Sequence, residues 1–331
     1  MYRRILLTID CGTLAAAELT HPIDLANASG VALWLRHLAG PQRHVLHGRR
    51  WRASVPLGVL RRRCARCLVW LMAALPSMAV ARAEPVVPIL VYHRFGTAAT
   101  DSMTVSVETF DAQLRVLRER GYRVVPLADV LAWMRGERPL SAPLAVAITA
   151  DDGHRSVYEL MRPIAYRERL PVTLFIYPSA ISNASYAMTW EQLRALRQSG
   201  LFDLQSHTYW HPDFRVERRR LAPPDYRRFV DDQLVRSRER IGAETGAQAT
   251  LLAWPFGIFD SELMGLATAA GYAAAFTLEG RAAARCDAPL AIPRILVSDS
   301  DDAARFGRML DAARTAATRC LPSAPGEVAK R

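Results

Sequence analysis

From Val87 onward the chain repeats one rhythm, a short apolar run followed by a helix-period pattern and then another apolar run. This alternation constrains the fold more than any other feature, because strands joined through helices pair in parallel and are covered by those helices. The runs predict strands at Ile89–Tyr92, Arg123–Val125, Leu144–Thr149, Val172–Tyr177, Phe202–Ser206, Thr250–Trp254, Ala273–Leu278 and Ile292–Val297. Helical spacing is carried by Phe110, Leu114 and Leu117, stopped by Gly121, and by Val130, Leu131 and Met134. It returns at Leu160 and Ile164, at Leu193 and Leu196 before Gly200, and at Phe229, Val230, Leu234 and Ile241. Seven or eight strands over roughly 245 residues have the size of a β/α barrel. The expected fold class is therefore α/β, a distorted (β/α) barrel of about seven strands, with a doubly wound open sheet as the competing architecture.

Half of the residues are apolar and 23% are charged, a globular balance that excludes a disordered or multi-span chain. A net charge of +11 would point to nucleic acid if it were spread over the fold. It is not spread. Residues 1–83 hold twelve Arg and three acids and so carry +9, which leaves +2 for residues 84–331. No nucleic acid is expected as a partner.

Arg61, Arg62, Arg63 and Arg66 precede an uncharged run of fifteen residues from Cys67 to Ala81, followed by Arg82 and Ala83. A basic start, a short apolar stretch and small residues at the end predict a secretory signal cut after Ala83. Interrupted by Pro76, the run falls short of the roughly 20 residues that cross a bilayer, so no stable membrane span is expected after cleavage. The product is then periplasmic or extracellular, and membrane-anchored if the signal is not cut. Ahead of it, Ile5–Ile9, Leu14–Ser29 and Val31–Leu35 read as strand, helix and strand. Residues 1–40 resemble a truncated universal stress protein, whose later glycine-rich phosphate-binding segment this chain lacks. The expected organisation is residues 1–55 as a non-functional fragment and linker, 56–83 as the signal segment, and 84–331 as the catalytic domain. Cys64 and Cys67 have no partner pair and read as neither a metal nor a redox site. Cys286 and Cys320, the only cysteines after residue 83, are expected to form one disulfide in an oxidising compartment.

In a β/α barrel the chemistry sits where the strands end. Four predicted ends are unusual: Tyr92-His93, Thr149-Ala150-Asp151-Asp152-Gly153, His207-Thr208-Tyr209-Trp210-His211-Pro212, and Trp254-Pro255-Phe256-Gly257. Adjacent carboxylates diverge and suit a facing glycosidase pair poorly, and Asp-Asp-Gly is also ordinary turn chemistry. His207 and His211 can face one point if the backbone turns between them. Together with one carboxylate they make a three-ligand set with open positions, suited to zinc or another divalent metal.

On the segments TADDG, HTYWHP and AWPFG, residues 88 to about 300 resemble the polysaccharide deacetylases, the NodB-homology or carbohydrate esterase family 4 enzymes. PILVYH and IPRILV further resemble the subgroup that includes poly-β-1,6-N-acetylglucosamine deacetylases. The resemblance implies one divalent metal held by Asp152, His207 and His211, zinc first and cobalt, nickel or iron otherwise. It implies Asp151 as general base and an N-acetylated polysaccharide as substrate, whether exopolysaccharide, peptidoglycan or chitin-like. No histidine follows His211, so the general acid is expected from the first strand as His93, as in that subgroup. Arg294 is expected to orient Asp151 or else to be a surface ion pair, and Trp254, Pro255 and Tyr209 to support the sugar or acetyl pocket. Ala150 departs from the family's phenylalanine while both acids remain. An acetylxylan-type O-deacetylase and a carbohydrate-binding pseudoenzyme are the alternatives; a zinc protease is disfavoured because no HExxH occurs.

Overall fold

The computed structural model describes residues 4–8, 32–36 and 85–317. Residues 1–77 and 78–331 form two separate compact units. In the first, β1 (Arg4–Thr8) and β2 (Ala32–Arg36) pair in parallel, as a strand–helix–strand reading requires; the predicted helix between them and the signal segment lie outside the described residues. No helix among the described residues is long and apolar enough to cross a membrane.

The second unit is built on a curled parallel sheet. Its strands are β3 (Ile89–Tyr92), β7 (Ala145–Asp151), β8 (Val172–Ile176), β9 (Phe202–Ser206), β10 (Leu251–Ala253), β11 (Ala274–Phe276) and β12 (Ile295–Leu296), with β6 (Arg123–Val124) beside the start of β7. The spatial order is β11-β10-β9-β8-β7-β3-β12. The last strand therefore lies beside the first, and a parallel bridge from Phe276 to Ile292 draws the far edge toward it. A small parallel pair, β4 (Arg94–Gly96) and β5 (Thr104–Ser106), follows β3.

Eight helices are described: α1 (Val107–Glu119), α2 (Leu127–Met134), α3 (Arg162–Glu168), α4 (Trp190–Gln198), α5 (Phe214–Arg220), α6 (Pro223–Thr245), α7 (Ser261–Ala269) and α8 (Ala303–Ala317). Their ends follow local chemistry. The Ser106 hydroxyl accepts from the Thr109 amide to start α1, and Thr189 and Gln192 form a reciprocal capping box on α4. Gly246 closes α6 at φ 68°, a conformation that side chains with a Cβ resist.

Both faces of the central strands β3, β7 and β8 are buried, and strict alternation decides which layer each residue joins. Along β7, Val146, Ile148 and Ala150 join Leu90, Tyr92, Leu174 and Ile176 in the cluster shared with α1, α3 and α4. Ala145 and Ala147 join Ile89, Phe175, Leu251, Ala253, Ala274 and Phe276 on the inner side. Those small inner residues leave room for two phenylalanine rings and, above them, for polar groups. Ala150 thus packs outward among the helices, opposite in parity to Asp151, so its departure from the usual phenylalanine alters a helix contact and not the acids.

Several elements have no counterpart in the predicted runs, among them the β4–β5 pair and α8. The short α5 has four Arg in seven residues, α7 has a glycine inside, and Val157–Met161 forms a π-turn before α3. The last strand is two residues long, shorter than its apolar run predicts, because Pro293 offers no amide to the ladder and Arg294 turns inward. Cys286 is disulfide-bonded; Cys320, its expected partner, lies outside the described residues.

Candidate active site

The inner parity that places Ala145 and Ala147 inside the curl also carries Thr149 and Asp151 there, at the strands' C-terminal mouth. Asp151 is 1% exposed. Its partner comes from the other end of the chain: Arg294, 0% exposed, stands just before β12 and reaches across β3. Arg294 Nη1 and Nη2 donate to Asp151 Oδ1 and Oδ2 at 2.8 and 2.7 Å, and Nη1 also donates to Thr149 Oγ1 at 3.1 Å. Nε donates to the Thr277 carbonyl, and the guanidinium lies over the Phe175 ring. The pairing is a buried two-pronged bridge, not a surface ion pair. Burial alone would raise the Asp151 carboxyl, but Arg294, helped by the fields of His207 and His93, holds it down at about 2.

Asp152 leaves the strand in a left-handed conformation at φ 71°, and Gly153 follows at φ 71°. Thr208 and His211 also lie in that region, at φ 64° and φ 63°. Such conformations cost about 1 kcal/mol or more each for residues with a Cβ and persist where surrounding contacts enforce them. Here they bend three side chains toward one point. Oδ1 of Asp152 lies 3.7 Å from His207 Nε2 and 3.9 Å from His211 Nε2, and one ligand atom from each residue falls within 4.8 Å of the others.

The state of His207 is set from behind. Its Nδ1 donates to the Ala253 carbonyl at 2.8 Å, so Nε2 presents its lone pair to the cluster. Burial pushes its pKa down to about 3 against the opposing pull of Asp151, and burial also lowers His211. Both rings are neutral and able to ligate at ordinary pH. Burial raises Asp152 more than the His93 field lowers it, and the adjacent Asp151 charge adds to the rise. A cation would reverse that, since the site brings one more carboxylate than Arg294 neutralises. The spacings approach the roughly 3.4 Å edge of a tetrahedron with metal–ligand bonds of about 2.1 Å, so these residues fit a divalent metal.

His93 stands between β3 and β4 on inner parity, and its Nδ1 is buried without a hydrogen-bond partner in the protein. The predicted set of Asp151, Asp152, His93, His207, His211 and Arg294 thus comes together. Trp254 does not join it. Its parity is outward: it is 0% exposed, donates Nε1–H to the Leu290 carbonyl, and packs with Phe214, Val230 and Leu252. Pro255 is buried beside it, and half-buried Tyr209 stacks beneath Arg236.

The exposed aromatic of that segment is Phe256, 58% exposed at φ 57°, with its ring 4.6 Å from that of His211. A groove of about 450 Å³ runs from His211 past Tyr177, Tyr186 and Trp210. The Tyr177 and Tyr186 hydroxyls hydrogen-bond at 2.7 Å, and Tyr186 and Trp210 are each 43% exposed. Sequence reasoning missed Phe256, Tyr177 and Tyr186, although Phe256 lies inside a quoted motif and Tyr177 ends a strand. A larger hollow of about 1160 Å³, lined by Val86, Trp133, Leu144, Arg285 and Arg314, lies where the strands begin and holds none of the clustered groups.

Residues 141–275 match the family model described as polysaccharide deacetylase. The chain is 26% identical over 225 residues to YxkH of Bacillus subtilis (strain 168), covering 68% of this chain and 76% of that one. It is 24% identical over 255 residues to the poly-beta-1,6-N-acetyl-D-glucosamine N-deacetylase of Escherichia coli (strain K12), covering 66% of this chain but 38% of that protein. The Streptococcus pyogenes deacetylase PplD, solved in complex with acetate, shares the fold with a TM-score of 0.61 at 21% identity, over 69% of this chain and 99% of that one.

Proposed function

Starting from a chain that carries a polysaccharide deacetylase domain, we propose that it is a metal-dependent hydrolase removing N-acetyl groups from an N-acetylhexosamine polysaccharide. One observation carries this reading: a buried carboxylate paired with Arg294 stands next to an Asp/His/His cluster at an open barrel mouth. Asp152, His207 and His211 would hold the metal, with zinc first among the candidates. When bound, the cation supplies polarisation of the acetamide carbonyl and acidification of the attacking water, which matches a base whose own proton affinity Arg294 has lowered.

Asp151 accepts the water's proton at a carboxylate oxygen, and Arg294 keeps that carboxylate charged and its plane fixed. His93 gives a proton to the departing amine, and its field at both Asp151 and Asp152 supports a place beside the base. The exposed rings of Tyr186, Trp210 and Phe256 offer flat apolar faces to pyranose rings, as aromatic surfaces do for amphipathic ligands. The leader-like segment before Glu84 supports export of this domain toward an external polymer.

Acetate release from N-acetylglucosamine oligomers and from acetylxylan, measured on protein of known metal content, tests the reading. Release from the oligomers supports it; release from acetylxylan alone replaces it with an ester hydrolase, and release from neither leaves a binding protein. Asp151→Asn is expected to keep the metal and lose at least about 100-fold in kcat. His93→Asn is expected to fall by at least about 100-fold with metal content and unfolding temperature unchanged. Near-normal turnover of a folded, metal-loaded His93→Asn protein would remove His93 from the mechanism.

A further inference from the structure

A second, smaller pocket opens on the His93 side of the site, about 260 Å³ in volume. Arg94, Thr97, Thr100, Thr104 and His154 supply its polar lining, and no carboxylate is among the lining residues. Arg94 directly follows His93, and its charge is felt at Asp152 and Tyr177. His154 lies two residues beyond Asp152 and stacks on Tyr186, the rim residue of the larger groove, with ring centroids 6.1 Å apart and planes at 12°. His154 lines this pocket and Tyr186 the larger groove, so the two cavities share the His154–Tyr186 wall.

The lining consists of hydrogen-bonding groups around one cation, itself paired with Asp101 just outside the pocket. Arg94 is braced by Asp101 at 3.1 Å, and Asp101 is itself tied into its loop by the Met103 amide and the Thr104 hydroxyl. That single contact leaves most of the guanidinium's five N–H donors unspent. His154 Nδ1 accepts from the Ser156 amide at 3.2 Å, which leaves the proton on Nε2, a further donor. The Thr104 hydroxyl donates to Asp101 and the Thr100 hydroxyl to Thr104, so what the pocket offers an entering group is the rest of the Asp101-paired Arg94 guanidinium, the Thr97 hydroxyl and His154 Nε2–H.

We propose that this pocket is an anion subsite, in which Arg94 selects an N-acetylhexosamine polymer whose unit next to the one being deacetylated carries a carboxylate. It rests on the deacetylase reading and adds the substrate class to it. A charge-assisted contact of this kind discriminates by about tenfold or more, and because Arg94 is part-exposed the preference weakens as salt rises.

Two probes separate the possibilities in the full chain: a neutral N-acetylglucosamine hexamer, and glycan strands alternating N-acetylglucosamine with N-acetylmuramic acid, whose lactyl ether bears the carboxylate. Acetate release at low salt is expected to favour the anionic strands in kcat/KM by about tenfold. Amidating their carboxylates should abolish that preference, Arg94→Gln should collapse the ratio toward one, and Arg94→Lys should restore most of it. Equal kcat/KM for the two glycans, or a ratio untouched by Arg94→Gln, overturns the subsite while leaving the deacetylase standing. Acetate from neither glycan overturns both.

Discussion

Replacing His211 by Ala is expected to reduce bound divalent metal from about one per chain to nearly none, and acetate release to background. Among the described residues, His211 is one of three groups whose ligand atoms converge, and two ligands hold a divalent ion far more weakly than three. Its side chain is 20% exposed, so the loss falls on function more than on packing. The unfolding temperature of the metal-free variant should stay within about 4 °C of the metal-free parent, roughly 1 kcal/mol for a domain of this size. Metal analysis after dialysis, acetate assay and thermal unfolding on one preparation decide the matter. A variant retaining stoichiometric metal and full acetate release would show that the cluster is not the metal site.

Arg294→Met should have the largest effect on stability. It leaves the Asp151 carboxylate buried without its counter-charge, a change that costs about 3–5 kcal/mol, on the order of a thousandfold in the folding equilibrium. The pH dependence carries a sign. In the parent, Asp151 is held at about 2, below its ordinary 3.8; the stability this lends is present above that ordinary value and is lost as pH falls toward 2. In the variant, burial acts unopposed and raises the carboxyl, so the penalty is present above the raised value and is relieved as acid protonates it. The gap between parent and variant is therefore widest near neutral pH and narrows in acid. Urea unfolding at about pH 7 and about pH 4 measures it. A gap equal at both values would mean that Asp151 is not held charged by Arg294.

The sequence by itself determined the framework, because it is local. Apolar runs and helix-period residues marked the sheet strands to within a few residues, and Ile89–Tyr92 and Phe202–Ser206 without error. Asp151, Asp152, His207 and His211 were legible because polar residues that end apolar strands have few structural reasons to be there. Strand parity was also available and would have turned Trp254 outward, into the cluster with Phe214 and Leu252.

Only the tertiary structure decided the rest. Arg294 and Asp151 are 143 residues apart, and nothing local distinguishes their bridge from a surface pair; it exists because the curling sheet lays its last strand beside its first. The aromatic groove and the Arg94 pocket likewise depend on loops from separate strand ends meeting at one mouth. Their contacts come from closure of the sheet, a property of the whole chain that no window of residues contains.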